Sequence, residues 1–406
     1  MELENVERRM PAAPATGGLA TQWLLGLLGR LHYGRLMVHT GDAPHVHVVL
    51  GERAGPAASL AIHRPWRLAA RVLGRGHLGL AEGFVAGDWD SPQPAQALEV
   101  LALNEEHLLA SRTGRLSRWI DRLQHHRRRN DRRGSRRNIA FHYDLGNDFY
   151  RLWLDPGMTY SAALFAETGE PLEAAQTRKY QRILGRLDAR PGQHILEIGC
   201  GWGGFAEHAA RQGYRVTGVT LSREQLAHAR ERIAAAGLSD RVDLRLQDYR
   251  DLTGTYDQVV SIEMFEAVGE RYWPTYFDTV RRVLRPGGRA SLQVITIDDG
   301  FFEQYRRGTD FIQKYVFPGG MLPSVPAFDA TAQAAGLAVV DRAFHGLDYA
   351  DTLRRWDAAF CAARERVAGL GFDERFLRLW RYYLGYCEAG FRTGRIDLMQ
   401  VALAPG

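Results

Sequence analysis

The stretch His194-Ile-Leu-Glu-Ile-Gly-Cys-Gly-Trp-Gly-Gly-Phe205 decides the fold. Its first half is a short β-prone apolar run, its second a glycine-rich turn, and the residues that follow, Ala206–Arg211, suit a helix. Gly199, Gly201 and Gly203 leave room for a ligand to approach the backbone. The helix that follows directs its unpaired N–H groups and positive dipole end at the same spot. A nucleotide-like cofactor fits such a turn, although a lone Gly-x-Gly after a strand also serves ordinary turns. The dinucleotide version needs an acid about 20 residues on. Here the next strand, Tyr214–Thr220, runs into Thr220-Leu-Ser222, which disfavours NAD.

Outward from this turn, apolar runs alternate with helical stretches. Strands are expected at Ile195–Gly199, Arg215–Thr220, Val242–Gln247, Gln258–Ile262 and Ala290–Ile297, with Leu337–Ala343 and Ile396–Leu403 closing the sheet. Such alternation predicts an α/β, doubly wound parallel sheet. Upstream, Thr21–Leu31 and Pro65–Leu73 read as helices, and His45–Leu50 and Ala58–His63 as short strands.

At 406 residues the chain is long enough for two domains. Its 45% hydrophobic and 24% charged residues are ordinary for a globular protein. The three cysteines, Cys200, Cys361 and Cys387, match no metal or disulfide pattern, so no metal site is expected and a reducing cytoplasm suits the chain. No stretch reaches 18 uninterrupted apolar residues, and Glu2, Glu4 and Glu7 are foreign to a secretory signal. The net charge is +5, yet residues 1–138 hold 20 arginines against 13 acids, a local +7. Seven of those arginines crowd Arg127–Arg137. Such runs are commonly solvated linkers. The functional alternative is a patch for anionic phospholipid head groups, worth about 1 kcal/mol per cation near a charged surface. Nucleic acid is not expected, since no interleaved aromatics or recognisable module accompany the charge.

The string Leu196-Glu-Ile-Gly-Cys-Gly-Trp-Gly-Gly204 resembles motif I of class I S-adenosylmethionine methyltransferases, and with Trp202 it resembles the cyclopropane fatty acid synthase family in particular. Phe141-His-Tyr-Asp-Leu-Gly-Asn-Asp-Phe-Tyr150, Leu154-Asp-Pro-Gly-Met-Thr-Tyr-Ser161, Phe311–Ser324 and Trp380–Phe391 resemble the same family, as does Gly79–Asp90, which matches the end of its N-terminal domain. The resemblance runs from about residue 65 to the C-terminus. It implies a Rossmann-like seven-stranded methyltransferase domain over 139–406, a basic linker over 117–138, and a smaller α/β lipid-binding domain over 1–116.

It further implies S-adenosylmethionine as cofactor and the double bond of unsaturated phospholipid acyl chains as acceptor, with a cyclopropane as product. Tyr160, Ser161, Glu197, Gly199, Cys200, Gly201, Gly203, Thr220, Leu221, Ser222 and Gln225 are then expected at the cofactor, with Gln247, Asp248 and Tyr249 near the adenine. In the family a bound bicarbonate is thought to act as base, held by a Glu, a Tyr, a His and backbone near a Cys and an Ile. Glu266, Tyr349 and Ile295 match three of these positions. The Cys is Ala162 and the His is Gln293, and a glutamine carries no positive charge with which to hold an anion. Direct deprotonation by Glu266, or a methyl- or methylene-branched product, are the alternatives.

The aromatic set Tyr272, Trp273, Tyr276, Phe277, Phe301, Phe302, Tyr305, Phe311, Tyr315 and Phe317 is divided between acyl channel and packing. A cytoplasmic protein peripheral on the inner membrane face follows, with a homodimer as one arrangement that the sequence leaves open. Two rival readings are a small-molecule N-methyltransferase, which has little use for the basic front domain, and a catalytically silent lipid- or cofactor-binding protein.

Overall fold

The computed structural model describes residues 18–41, 45–108 and 145–406. The chain divides into two compact units, Met1–Gly114 and Arg115–Gly406. The arginine run, the expected linker and Phe141–Asp144 of the opening motif lie outside the described residues.

In the first unit, β1 (Tyr33–Thr40), β2 (His45–Leu50), β3 (Arg53–Ile62) and β4 (Trp89–Asp90) form a sheet ordered β2-β1-β3-β4. The β1–β3 pair is parallel and the others antiparallel. The helix expected over Thr21–Leu31 spans Leu19–Leu28. β1 was not foreseen: its side chains alternate between faces, so Leu36 and Val38 are buried while Arg35, Met37 and His39 break the apolar run. The helix expected at Pro65–Leu73 continues to Val85 across a kink at Gly76, whose φ is 57°. Beyond the kink the backbone passes so close to itself that a Cβ at Gly79 would lie 2.0 Å from Arg71 O, which is why that position is glycine. The same segment ends in Asp88, fully buried and held by Arg71 at 2.8 Å, and in Trp89, whose indole N–H donates to Leu80 O. Gly79–Asp90 thus locks the kinked helix onto the sheet.

In the second unit, β5 (His194–Ile198), β6 (Arg215–Thr220), β7 (Val242–Leu246), β8 (Gln258–Ile262), β9 (Ala290–Ile297), β10 (Leu337–Phe344) and β11 (Ile396–Pro405) form a seven-stranded sheet ordered β10-β11-β9-β8-β5-β6-β7. β5 to β9 are parallel, as expected. β11 corrects the all-parallel picture, since it inserts antiparallel between β9 and β10. Alternate residues of β5 feed two cores: Ile195 packs with Phe205, Val216 and Ala229 on one face, Leu196 and Ile198 with Phe265, Tyr276 and Val280 on the other. Strand order reverses at β5, with β6 and β7 to one side and β8 and β9 to the other. Open α/β sheets bind ligands beyond the strand C-termini at that reversal.

Candidate active site

The turn after β5 is built by backbone conformations that side chains disfavour. Gly199, Gly201 and Gly203 have φ of 90°, 49° and 83°. A Cβ on Gly199 would fall 2.9 Å from Met264 Cγ, whereas one on Gly201 would point into open space. Gly203 caps the helix Gly204–Arg211 without any side-chain hydrogen bond, leaving its N–H groups free to meet a ligand. Trp202 is anchored by its indole N–H on Asn147 Oδ1 at 2.7 Å and lies against Tyr150.

A cleft of about 980 Å³, partly open to solvent, lies over this turn. Tyr160, Ser161, Glu197, Gly199, Cys200, Gly201, Thr220, Leu221, Gln225, Gln247 and Tyr249 line it. Gly203, Ser222 and Asp248 do not, and each supports the wall instead. Gly203 caps its helix, and Ser222 caps the helix Arg223–Ala235 by accepting from Gln225 N at 3.2 Å. Asp248 is buried and paired with Arg250 at 2.7 Å. Thr220 donates to Gln225 Oε1, fixing the amide at the cleft. Glu197 Oε2 is buried without a partner, and desolvation pushes its carboxyl up to about 8, so the group waits for a polar partner in the cleft. A helix start without a side-chain cap, open space at Gly201 and a buried carboxyl oxygen without a partner fit a polar cofactor with a nucleoside.

Beside the cleft, one carboxylate gathers the groups that the family resemblance assigned to bicarbonate. Glu263 Oε1 accepts from Ala162 N at 2.9 Å and from Gln293 Nε2 at 2.7 Å, and its Oε2 accepts from the Tyr349 hydroxyl at 2.6 Å. Gln293 is oriented in turn by Gln400, which donates to its Oε1 at 2.9 Å. The fourth expected donor, Ile295 N, is taken by Glu266 Oε1 at 2.5 Å. Ala162, Gln293 and Tyr349 are therefore brought together around Glu263 and not around a space for an ion, while Ile295 and Glu266 pair with each other. The donor set does not fit bound bicarbonate. Glu263 went unnoticed in the sequence, where it sits in Ser261-Ile-Glu-Met-Phe-Glu266; the available signal was a second acid three residues before the expected one.

Glu266 lies in a single 3₁₀ turn, Phe265–Ala267, not on a longer helix. Desolvation, reinforced by the charge of Glu263, pushes its carboxyl up to about 8. Its Oε2 is buried with no partner, consistent with a carboxylic acid near neutrality. Burial also raises Glu263, while the Tyr349 hydroxyl, the Lys179 charge, Ala162 N and Gln293 oppose that rise. Glu266, with its folded value raised above the ordinary 4.5, costs nothing in stability below about 4.5. The penalty grows as pH rises through about 8. Glu266→Gln should therefore gain Tm relative to the parent between pH 5 and pH 9, and a gap that does not widen with pH in thermal melts would contradict this.

Sequence reasoning also missed Lys179. It is completely buried, donates to Ser161 Oγ at 2.6 Å, and answers the charges of Glu263, Asp155 and Glu197. Of the aromatic set expected to divide between channel and packing, Trp273, Tyr276, Phe277 and Phe302 belong to the core. The aromatics that line the cleft are others, Tyr160, Tyr180, Trp202, Phe205 and Tyr249; Tyr160, hydrogen-bonded to Tyr383 at 2.7 Å between hydroxyls, is backed by Tyr150, Trp153 and Trp356.

This Rossmann-like sheet with a glycine-rich cofactor turn defines a class I S-adenosylmethionine methyltransferase. Residues 130–401 match the family model for mycolic acid cyclopropane synthetase. The chain is 42% identical over 407 residues to the tuberculostearic acid methyltransferase UfaA1 of Mycobacterium tuberculosis, spanning 97% of this chain and 93% of that one. It is 38% identical over 344 residues to the cyclopropane-fatty-acyl-phospholipid synthase of Escherichia coli K12, spanning 83% and 85%. The solved mycolic acid cyclopropane synthase CmaA1, complexed with SAH and CTAB, superposes with a TM-score of 0.62 at 32% identity, covering 66% of this chain and 97% of that one. The chain belongs to the cyclopropane synthase family. It is an S-adenosylmethionine-dependent methyltransferase of that type, transferring a one-carbon unit to lipid acyl chains.

Proposed function

We propose that the protein alkylates the double bond of unsaturated acyl chains in membrane phospholipids and closes a cyclopropane. The observation that carries this reading is the placing of a desolvated carboxylate, Glu263, in the wall of the same cleft that the glycine turn opens. Methyl transfer to an alkene leaves a carbocation, which needs a nearby base and no competing water. Bound S-adenosylmethionine supplies an activated methyl group. Gly199 and Gly201 admit it to the backbone, Glu197 and Gln225 take its polar ends, and Tyr249 and Gln247 border the adenine. Tyr160 presents an aromatic face that favours a cation, and its hydroxyl is occupied by Tyr383 and so directed away from attack.

A lipid partner is supported by the first unit. Met37 and Val48 are register partners on the exposed face of β1 and β2, and Val46 and Leu50 extend the strip, at 40–68% exposure. Exposed apolar residues gathered on one strand face suit an interaction site, and the arginine run at 127–137, later in the chain, suits anionic head groups. Peripheral contact with the inner membrane face follows. Among the described residues no helix is long and apolar enough to cross a membrane.

A second reading, a methyl- or methylene-branched product, is favoured by the near full-length match to UfaA1. Both products add carbon to the alkene, but a saturated methyl branch needs two further hydrogens from a separate reductant. Expression in cells rich in monounsaturated lipid, followed by mass spectrometry and proton NMR of the fatty acids, separates them. A gain of one CH2 with high-field ring protons is expected. Vinylidene or branch-methyl signals would replace the cyclopropane reading, and unaltered lipid would refute alkene transfer altogether.

A further inference from the structure

We propose that Glu263 is the proton acceptor of this enzyme, its side-chain carboxylate taking the place that bicarbonate fills in cyclopropane synthases, so that turnover needs no inorganic anion. The inference rests on the alkene-transfer reading above. Three observations carry it.

First, the donors are spent. Ala162 N, Gln293 Nε2 and the Tyr349 hydroxyl, three groups from segments far apart in the chain, all point their hydrogens at the Glu263 carboxylate. A separate anion would find them occupied and would face Glu263 and Glu266 together. Among the described residues the cation nearest in charge terms, Lys179, is already bonded to Ser161.

Second, the two acids are not equivalent. Glu263 lines the cleft and Glu266 does not. Glu266 is tied to Ile295 N and keeps a partnerless Oε2, the arrangement of a neutral acid, while at Glu263, which burial also raises, three donors and the Lys179 charge oppose that rise and favour the ionised form. Tyr349, the remaining titratable group against it, donates its proton to Glu263 and does not compete for one.

Third, the backbone at this position is strained. Glu263 has φ of 49°, in the left-handed region that favours glycine. A non-glycine residue persists there only where its surroundings over-determine it, a pattern that clusters at functional sites.

The step balances without another reactant. The alkene π pair forms the bond to the methyl carbon as the carbon–sulfur bond breaks toward sulfur, leaving a cation on the neighbouring alkene carbon. Glu263 removes one proton from the new methyl group. The freed C–H pair closes the three-membered ring or, after a hydride shift, forms an exocyclic double bond. The proton rests on Glu263 and passes to water between turnovers. Glu263 thereby serves either product.

The experiment uses the full chain, radiolabelled S-adenosylmethionine and unsaturated phospholipid vesicles, with and without added bicarbonate in carbonate-depleted buffer. The parent should turn over equally in both. Glu263→Gln should bind S-adenosylmethionine normally by calorimetry and lose about 10²–10⁴-fold in kcat, the usual contribution of a general base. Glu263→Gly relieves the strained φ and empties the donor set, so it should be inactive alone and regain turnover with bicarbonate. Full turnover in Glu263→Gln, or a parent that stalls without bicarbonate, overturns the proposal. So does a folded, cofactor-binding Glu263→Gly that bicarbonate fails to rescue. A parent that transfers no label to lipid in either buffer refutes alkene transfer itself, a result distinct from these.

Discussion

Gly199→Ala should weaken S-adenosylmethionine binding by about two orders of magnitude. Two costs add. An L-residue held at φ of 90° pays about 1–2 kcal/mol of left-handed strain, and the new methyl, 2.9 Å from Met264 Cγ, must displace a side chain that lines the cleft, at about 1–3 kcal/mol for overpacking. The free protein can escape part of both by letting the turn shift, and bound cofactor must then restore it. The sum, about 3 kcal/mol, corresponds to about 10²-fold in Kd. Gly201→Ala is the informative contrast. Its φ is also positive, at 49°, but its Cβ meets nothing within 4 Å. Any affinity it loses beyond strain comes from filling the space the cofactor needs. Calorimetric titration of both variants checks this, and an unchanged Kd for Gly199→Ala would mean that the cofactor does not use the turn.

The turn was legible because its chemistry is local. A strand, three glycines and a helix within a dozen residues leave few conformations, and the parallel strands announce themselves as buried apolar runs. What could not be read depended on partners distant in the chain. Glu263 and Glu266 look alike in sequence. Only the fold shows that Tyr349, 86 residues away, and Ala162, 101 residues away, close on the first of them. β11 reads as one more apolar run, and its antiparallel insertion between β9 and β10 depends on the return path of the helix Glu374–Arg392. Which aromatic residues pack and which face the cleft also depends on the fold. Trp273 and Phe277 turn inward to the core, while Tyr160 reaches the cleft from far off in the chain, backed by the buried Tyr150, Trp153 and Trp356. β1 hid behind Arg35, Met37 and His39, which occupy an exposed face.

Lys179→Met should destabilise the second unit by about 3–5 kcal/mol at neutral pH, the usual cost of removing one partner from a buried charge cluster. Lys179 reads in sequence as one more cation of a surface helix, Leu172–Gly185, yet it is wholly buried. Burial pulls it down to about 8 even though Glu263, Asp155 and Glu197 hold it up. The methionine fills much the same volume, so what is lost is charge. Without the cation, Glu197, already pushed up to about 8 by desolvation, and Glu263 and Asp155, both raised, shift higher still. The sign follows from these directions. Acids whose folded values exceed their unfolded ones cost nothing below the ordinary carboxylate range and progressively more as pH rises through the folded values. The deficit of Lys179→Met should therefore widen from pH 5 to pH 8.5. At the acid end it should shrink toward zero or reverse, because there the parent buries an ammonium whose acids are protonated. Urea midpoints of both proteins at the two pH values decide it. A deficit that stays constant across that interval would show Lys179 to be a packing residue, and the charge balance around Glu263 would have to be drawn from elsewhere.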